Sequence, residues 1–212
     1  MNARRVLEVR RLGRTRYADA HALQQELLAR RVAGEIGDVL LLTEHDPVVT
    51  VGRGADVAAA GEATTPIVAV ERGGEATFHG PGQVVGYPIV LLEEGRRDLH
   101  RWLRDLEEVV IATLADFGVA GRREEGLTGV WIGTRKVCSI GVAVRRWVTW
   151  HGFALNVTTD LAGFGTFQPC GLDPGVMTRL ADHVTRPLTC AEVEDALVGH
   201  AARILGFDAS DG

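Results

Sequence analysis

The stretch Gly129-Val-Trp-Ile-Gly133-Thr-Arg-Lys136-Val-Cys-Ser-Ile-Gly-Val-Ala-Val144-Arg-Arg-Trp-Val148-Thr-Trp-His-Gly-Phe-Ala-Leu-Asn-Val157 decides the fold. Three apolar runs, 129–133, 135–144 and 148–157, follow one another with only short breaks. They read as consecutive strands of a meander. Upstream, Val84 to Leu92 is a strand entered through Gly80-Pro81-Gly82, and Asp38 to Glu44 is a short apolar run that reads as a buried strand. Val48 to Val51 is another, and Ile67 to Val70 and Ala76 to Phe78 are short strands around the Gly73-Gly74 turn. Val6 to Arg10 alternates and predicts an edge strand. Helical spacing marks three segments. Arg16 to Val32 places Leu23, Leu27 and Leu28 on one face and stops at Gly34. Leu99, Trp102, Leu103, Leu106, Val109, Val110, Leu114 and Phe117 define a second helix ending at Gly118. Thr189-Cys-Ala-Glu192 is a capping box opening a third, with Leu197 and Ile204 inward. Strands outnumber helices without alternating with them. The expected fold is α+β: a mixed, largely antiparallel sheet flanked by helices, in one domain spanning 1–212.

Composition narrows the function classes. The chain has 212 residues, 46% apolar and 24% charged, enough to bury a sizeable core. A net charge of -5 argues against broad nucleic-acid binding. No apolar run approaches a membrane span, and the arginine-rich start (Arg4, Arg5, Arg10, Arg11) lacks a signal-peptide core, so the cytoplasm is expected. Cys138, Cys170 and Cys190 are too few and scattered for a disulfide framework, and without a CxxC pair no structural zinc is expected. No P-loop or dinucleotide fingerprint follows a strand. Of 23 basic residues 22 are Arg, and the one Lys is Lys136. Arg replaces Lys cheaply wherever only a charge is needed, but guanidinium does not give up its proton. Lys136 is therefore either an accident of composition or a site.

Three segments could carry chemistry. Arg72-Gly73-Gly74-Glu75-Ala76-Thr77-Phe78-His79-Gly80-Pro81-Gly82-Gln83 reads either as two hairpin turns or as a loop whose backbone N–H groups meet a ligand. Thr77-Phe78-His79-Gly80 is echoed by Thr149-Trp150-His151-Gly152, and two strand ends presenting His-Gly could line one cavity or match by chance. Thr166-Phe167-Gln168-Pro169-Cys170-Gly171 puts a cysteine on a tight turn. Cys138 sits in a regular apolar stretch and reads as structural; Cys190, at a helix start, is expected to have a somewhat lowered pKa. Cys170 is the nucleophile candidate. An ammonium such as Lys136 nearby would favour its thiolate and, once neutral, could act as a base.

The ordered motifs resemble the lipoyl(octanoyl) transferases of the biotin/lipoate protein-ligase superfamily. They are Leu40-Leu41-Leu42-Thr43-Glu44-His45-Asp46-Pro47-Val48-Val49-Thr50-Val51-Gly52-Arg53; Arg72-Gly73-Gly74 with Thr77, His79-Gly80-Pro81-Gly82-Gln83 and Gly86-Tyr87-Pro88-Ile89; Gly129-Val130-Trp131, Lys136 and Ser139-Ile140-Gly141; His151-Gly152 with Ala154-Leu155-Asn156; and Phe164, Phe167 and Pro169-Cys170-Gly171. The resemblance covers nearly the whole chain. It implies octanoyl transfer from acyl carrier protein to a lysine of lipoyl domains, with Cys170 as acyl-thioester nucleophile and Lys136 lowering its pKa and relaying protons. It implies a substrate site built from Arg72, Gly73, Gly74, Glu75, Ala76, Thr77, Phe78, His79, Ser139, Ile140, Gly141, Gly152, Phe153 and Ala154. Partners would be acyl carrier protein, the lipoyl domains of 2-oxoacid dehydrogenase E2 subunits and the glycine cleavage H protein, with no nucleic acid or membrane, and the chain a monomer. No cofactor or metal is expected, since the donor is octanoyl-phosphopantetheine on the carrier. The Arg96-Arg97, Arg101, Arg104 and Arg145-Arg146 clusters are either carrier docking patches or a solvated face. Asp46, Phe78 and Phe167 depart from the commoner Pro, Tyr and Ile; the last two would border the acyl pocket. The alternatives are an ATP-dependent lipoate or biotin ligase, a Cys-His protease using His79 or His151, and a non-catalytic acyl-binding module.

Overall fold

In the computed structural model, which describes residues 5–55, 65–166 and 174–212, the chain forms β1 (Arg5–Thr15), α1 (Tyr17–Ala33), β2 (Asp38–His45), β3 (Val48–Val51), β4 (Ile67–Ala69), β5 (Ala76–His79) and β6 (Gln83–Ile89). It continues through α2 (Leu99–Asp116), β7 (Gly121–Glu124), β8 (Leu127–Ile132), β9 (Arg135–Arg145), β10 (Val148–Asn156), α3 (Cys190–Leu205) and β11 (Phe207–Asp211). Among the described residues, β11-β1-β2-β6-β10-β9-β8-β7 make one sheet and β4-β3-β5 a second. The meander β8-β9-β10 pairs antiparallel as its short connections dictate. This is the α+β, mixed-sheet architecture that the sequence predicts.

Helix boundaries follow local chemistry. Gly34 closes α1 in the left-handed conformation at φ 77°. Thr189 and Glu192 form the expected reciprocal cap on α3. Leu197 is buried as predicted, whereas Ile204 is only partly covered and Leu205 takes the inward place.

Two expectations are corrected. β1 is not an edge strand, because β11 adds to it in parallel, Val9 opposite Asp211. The segment Phe-Asp-Ala-Ser-Asp has one buried residue and no alternation, so nothing in its pattern announces a strand. The glycine turns are not hairpins either. β4 and β5 both flank β3, the first parallel and the second antiparallel, so Gly73-Gly74 links strands that do not pair with each other. Gly80-Pro81-Gly82 carries the chain from the small sheet to the large one.

The large sheet is covered on both faces. Leu40, Leu42, Val84, Val130, Cys138, Phe153 and Leu155 pack under α2 and α3 with Leu106, Val110 and Leu197. Val39, Leu41, Val85, Tyr87, Ile89 and Trp150 face α1 with Leu27 and Leu28. β2 is buried on both sides, which is why it reads as an unbroken apolar run. The small sheet bears on the α1 side, where Tyr17 packs against Val48 and Val70.

Candidate active site

A cavity opens between the α1 face of the large sheet and the small sheet. Its floor consists of two residue pairs on β9 and β10, Ser139 opposite Ala154 and Gly141 opposite Gly152. These side chains are too small to fill the space that Leu or Val occupies elsewhere on the sheet. A Cβ on Gly141 would stand 2.8 Å from the carbonyl oxygen of Gly73 and 3.0 Å from Arg72 Cδ. The missing side chain thus lets the 72–74 loop lie on the sheet, where the Gly73 N–H donates to Val142 O at 2.9 Å.

That bond also settles what the 139–141 segment offers. It is strand, not loop, and in an antiparallel strand each residue's N–H and C=O share one edge, alternating along the chain. Val142 points away from β10 toward Gly73, so Ile140 points to the same edge. The β8 register ends at Cys138, so among the described residues no strand pairs with that edge beside Ile140. Ile140 is the residue of the three whose backbone faces this open edge, and it lines the cavity together with Ser139 and Gly141.

The remaining sequence-predicted residues divide by strand alternation. On β5, Thr77 and His79 line the cavity, as do Arg72 and Gly74 of the loop, and Gly152, Phe153 and Ala154 of β10. Ala76 and Phe78 point the other way, into an apolar cluster with Val49, Val51, Phe164 and Met177. Phe78 meets Phe164 edge-on at 5.5 Å between ring centroids and is not among the residues lining this cavity. Gly73 and Glu75 also lie outside the lining. His79 and His151 line the same cavity, but only His79 ends a strand; His151-Gly152 lies within β10, contrary to the expectation of two strand ends.

His79 stands in a buried hydrogen-bond chain whose polarity can be assigned. Gln83 donates from Nε2 to Phe78 O and to Asn156 Oδ1, so its Oε1 accepts from His79 Nδ1–H at 2.8 Å. Arg72 Nη2 donates to Thr50 Oγ1 at 2.9 Å, and that hydroxyl donates to His79 Nε2 at 3.2 Å. Asn156 Nδ2 donates to Thr178 O, and Thr178 N–H to Lys136 O, both within 3.0 Å. Burial first, then the neighbouring His45, hold His79 well below the usual histidine range, so the ring is neutral with both nitrogens engaged. His151 is likewise pushed down to about 3, by burial and then by His21.

Lys136 lies on β9 with 4% of its surface exposed. The register with β8 passes from Val130↔Cys138 to Trp131↔Lys136, so Val137 is an extra residue, a β-bulge. The bulge turns Lys136 onto the face of Trp131, the side of Ser139 and Gly141, where regular alternation would have set it with Cys138. Its ammonium sits 5.0 Å from the Trp131 ring centroid. Gly129 makes the room: a Cβ there would meet Lys136 Cε at 2.8 Å. Glu107, buried under the strand, accepts from Gly129 N–H at 3.1 Å and from Arg104 and Arg123. Among the described residues the Lys136 ammonium makes no hydrogen bond or ion pair.

Cys170 lies outside the described residues, as do Phe167 and its other neighbours through Gly171. The chain beyond it, at Met177 and Thr178, is tied to the Lys136 backbone. The other cysteines are poor nucleophiles. Burial pushes the Cys138 thiol up to about 12. Cys190 is also pushed up to about 12, by burial and then by Glu44, which reverses the expectation drawn from its helix-start position.

The sequence reading missed several cavity residues: Tyr17, Thr50, Val85 and Tyr87. It also missed the network role of Gln83 and Asn156. A usable signal existed, since each is a polar residue next to an unbroken apolar strand, and a buried amide needs partners.

The chain matches the model of the lipoyl protein ligase A/B catalytic domain over residues 16–202. It is 50% identical to an octanoyltransferase of Rubrobacter xylanophilus, covering 96% of both chains. It is 48% identical to an octanoyltransferase of Geobacter metallireducens, covering 90% of each. The fold is also that of a bipartite lipoate protein ligase solved with its E2 lipoyl domain from Thermoplasma acidophilum, with a TM-score of 0.72 over 98% of this chain and 86% of the other. At 18% identity that likeness concerns the fold alone. The site described above therefore sits in a chain that belongs to the lipoyl protein ligase A/B catalytic domain family, among its octanoyltransferases.

Proposed function

We propose that this chain moves an octanoyl group from acyl carrier protein to a lipoyl-domain lysine through a thioester on Cys170. The thiolate attacks the octanoyl-phosphopantetheine carbonyl, the bond to the carrier sulfur breaks, and the carrier thiol takes up a proton. The ε-amine of the acceptor lysine then attacks the octanoyl-Cys170 thioester, forming an amide and returning the thiolate. Lys136 supports the thiolate by its charge and relays the proton in each half-reaction. The cavity takes the acyl tail, at ~0.8 kcal/mol for each buried CH₂. Ile140 N–H is the donor best placed for the tetrahedral oxyanion. Because the thioester donor is already activated, neither nucleotide nor metal enters the reaction. The acceptors are the lipoyl domains of 2-oxoacid dehydrogenase E2 subunits and the glycine cleavage H protein, served by a monomer in the cytoplasm.

One observation carries this reading: the chain's one lysine is buried and turned by a bulge toward the cavity face, with a glycine opposite to admit it. The two rivals that use a histidine or nucleotide gain less support. Both His79 nitrogens are already engaged, burial pushes His151 down to about 3, too low for a base near neutral pH, and the ligase likeness is distant. Intact mass after incubation with octanoyl-acyl carrier protein alone tests the proposal. One octanoyl adduct is expected, removable by hydroxylamine and absent from Cys170→Ala; no adduct with the donor intact defeats it, and a requirement for ATP would favour the ligase.

A further inference from the structure

His21 of α1, Glu71 in the loop after β4 and His151 of β10 come together at the cavity wall. Their ligand atoms all lie within 4.8 Å of one another. His21 Nε2 is 3.1 Å from Glu71 Oε2, and His151 Nε2 is 3.6 Å from the same oxygen. The second distance is too long for a hydrogen bond. His151 is 2% exposed, and its Nε2 is buried with no hydrogen-bond partner. A buried imidazole nitrogen facing a carboxylate oxygen without bonding it calls for a third body between them.

The backbone aims the ring there at a cost. His151 has φ 53°, a left-handed conformation unusual for a bulky residue, and its N–H is anchored on Gln24 Oε1 at 3.1 Å. The His21 and His151 rings stack at 5.8 Å, and Trp150 stacks on His151 at 4.3 Å, which limits the freedom of both imidazoles.

We propose that His21 Nε2, Glu71 Oε2 and His151 Nε2 form a binding site for one borderline divalent cation of the zinc type. Two imidazoles and a carboxylate are a zinc donor set that leaves a fourth position open, here toward the cavity that His151 lines. Donors about 2.1 Å from a tetrahedral ion stand roughly 3.4 Å apart, and the 3.1 and 3.6 Å separations bracket that value. Magnesium and calcium prefer all-oxygen shells and do not fit two imidazoles. The ion would fasten the start of the Arg72-Gly73-Gly74 loop to α1 and β10. The site uses none of the cysteines and is distinct from octanoyl transfer at Cys170.

The test uses full-length protein stripped with a chelator, in the Cys170→Ala background so that the thiol cannot capture metal. Zn²⁺ titrated by calorimetry should bind with one equivalent and raise the melting temperature, while Mg²⁺ should do neither. His21→Ala and Glu71→Gln, both at partly exposed positions, should each weaken zinc binding by about 100-fold or more. Co²⁺ should give a visible spectrum without thiolate charge-transfer absorption. Absence of a one-equivalent zinc isotherm, unchanged affinity in both variants, or a thiolate band with Co²⁺ would each overturn the proposal.

Discussion

The two faces of the large sheet come from the same strands and bury different things. Under α2 and α3 the sheet presents Leu, Val, Ile and Phe, and the deeply buried Glu107 carboxylate there is held by Arg104, Arg123 and Gly129. On the α1 side lie Tyr17, His45, His79, Tyr87, His151, Arg72, Gln83 and Asn156, all buried. The first face supplies stability from apolar burial. The second pays for its desolvated polar groups by pairing them, and does so incompletely. Of the four side-chain atoms buried without a partner among the described residues, Thr77 Oγ1 and His151 Nε2 belong to residues that line the cavity and Gln24 Nε2 lies on α1, while Trp102 Nε1 belongs to α2. One face holds the protein together; the other holds chemistry ready for a ligand.

The largest expected effect separates charge from proton transfer on the polar face. Lys136→Arg keeps the cation but cannot relay a proton. Octanoyl transfer to a lipoyl domain should fall by ~10²–10⁴-fold. A loss of tenfold or less would make Lys136 a charge and nothing more. Next comes the apolar face. Leu155 is fully buried there, and Leu155→Ala should cost ~2–5 kcal/mol in denaturant unfolding. A cost below 1 kcal/mol would break the division of labour between the faces.

The polar face should also carry acid sensitivity. Burial pushes His45 down to about 4 from 6.5, with Nδ1–H donating to Thr15 O and Nε2 accepting from Tyr87 OH. Between those two values the unfolded chain binds the proton and the folded chain does not. Stability is therefore lost as pH falls through this window, by ~1.4 kcal/mol per unit and ~3 kcal/mol in all. Unfolding measured at pH 7 and pH 4.5 should show the loss in the native sequence and a shallower one in His45→Gln; parallel losses in both would assign it elsewhere. The smallest effect concerns Phe78. Because its ring packs on Phe164 away from the cavity, Phe78→Tyr should leave the preference between octanoyl and decanoyl donors within about twofold and cost ~1 kcal/mol for the buried hydroxyl. A clear change in chain-length preference would place the ring in the acyl path.

Much of this was legible residue by residue. The meander, the capped α3 and the twice-buried β2 follow from local spacing, because alternation and capping are properties of neighbours in the chain. β11 was not legible, because a mostly polar edge segment forms a strand only when β1 offers it a ladder. The Gly73-Gly74 segment reads as a hairpin turn locally; that β4 and β5 instead flank β3 depends on contacts far apart in sequence. Phe78 and His79 adjoin in sequence and face opposite ways in space, so a contiguous motif could not say which of its members touch the cavity.

The sequence by itself determined the architecture class and the strand meander, and it singled out Lys136 as the chain's one lysine. Composition and short-range periodicity carry that information, since one lysine among 22 arginines and an unbroken apolar run are visible without coordinates. The tertiary structure alone decided which way Lys136 points. A one-residue bulge against β8 inverts the face of every side chain before it, and register is a property of two strands. It decided too that His21, Glu71 and His151, 130 positions apart at the extremes, share one corner. No local pattern encodes such a meeting, because only the packing of α1 and the small sheet on the large one brings those residues within reach.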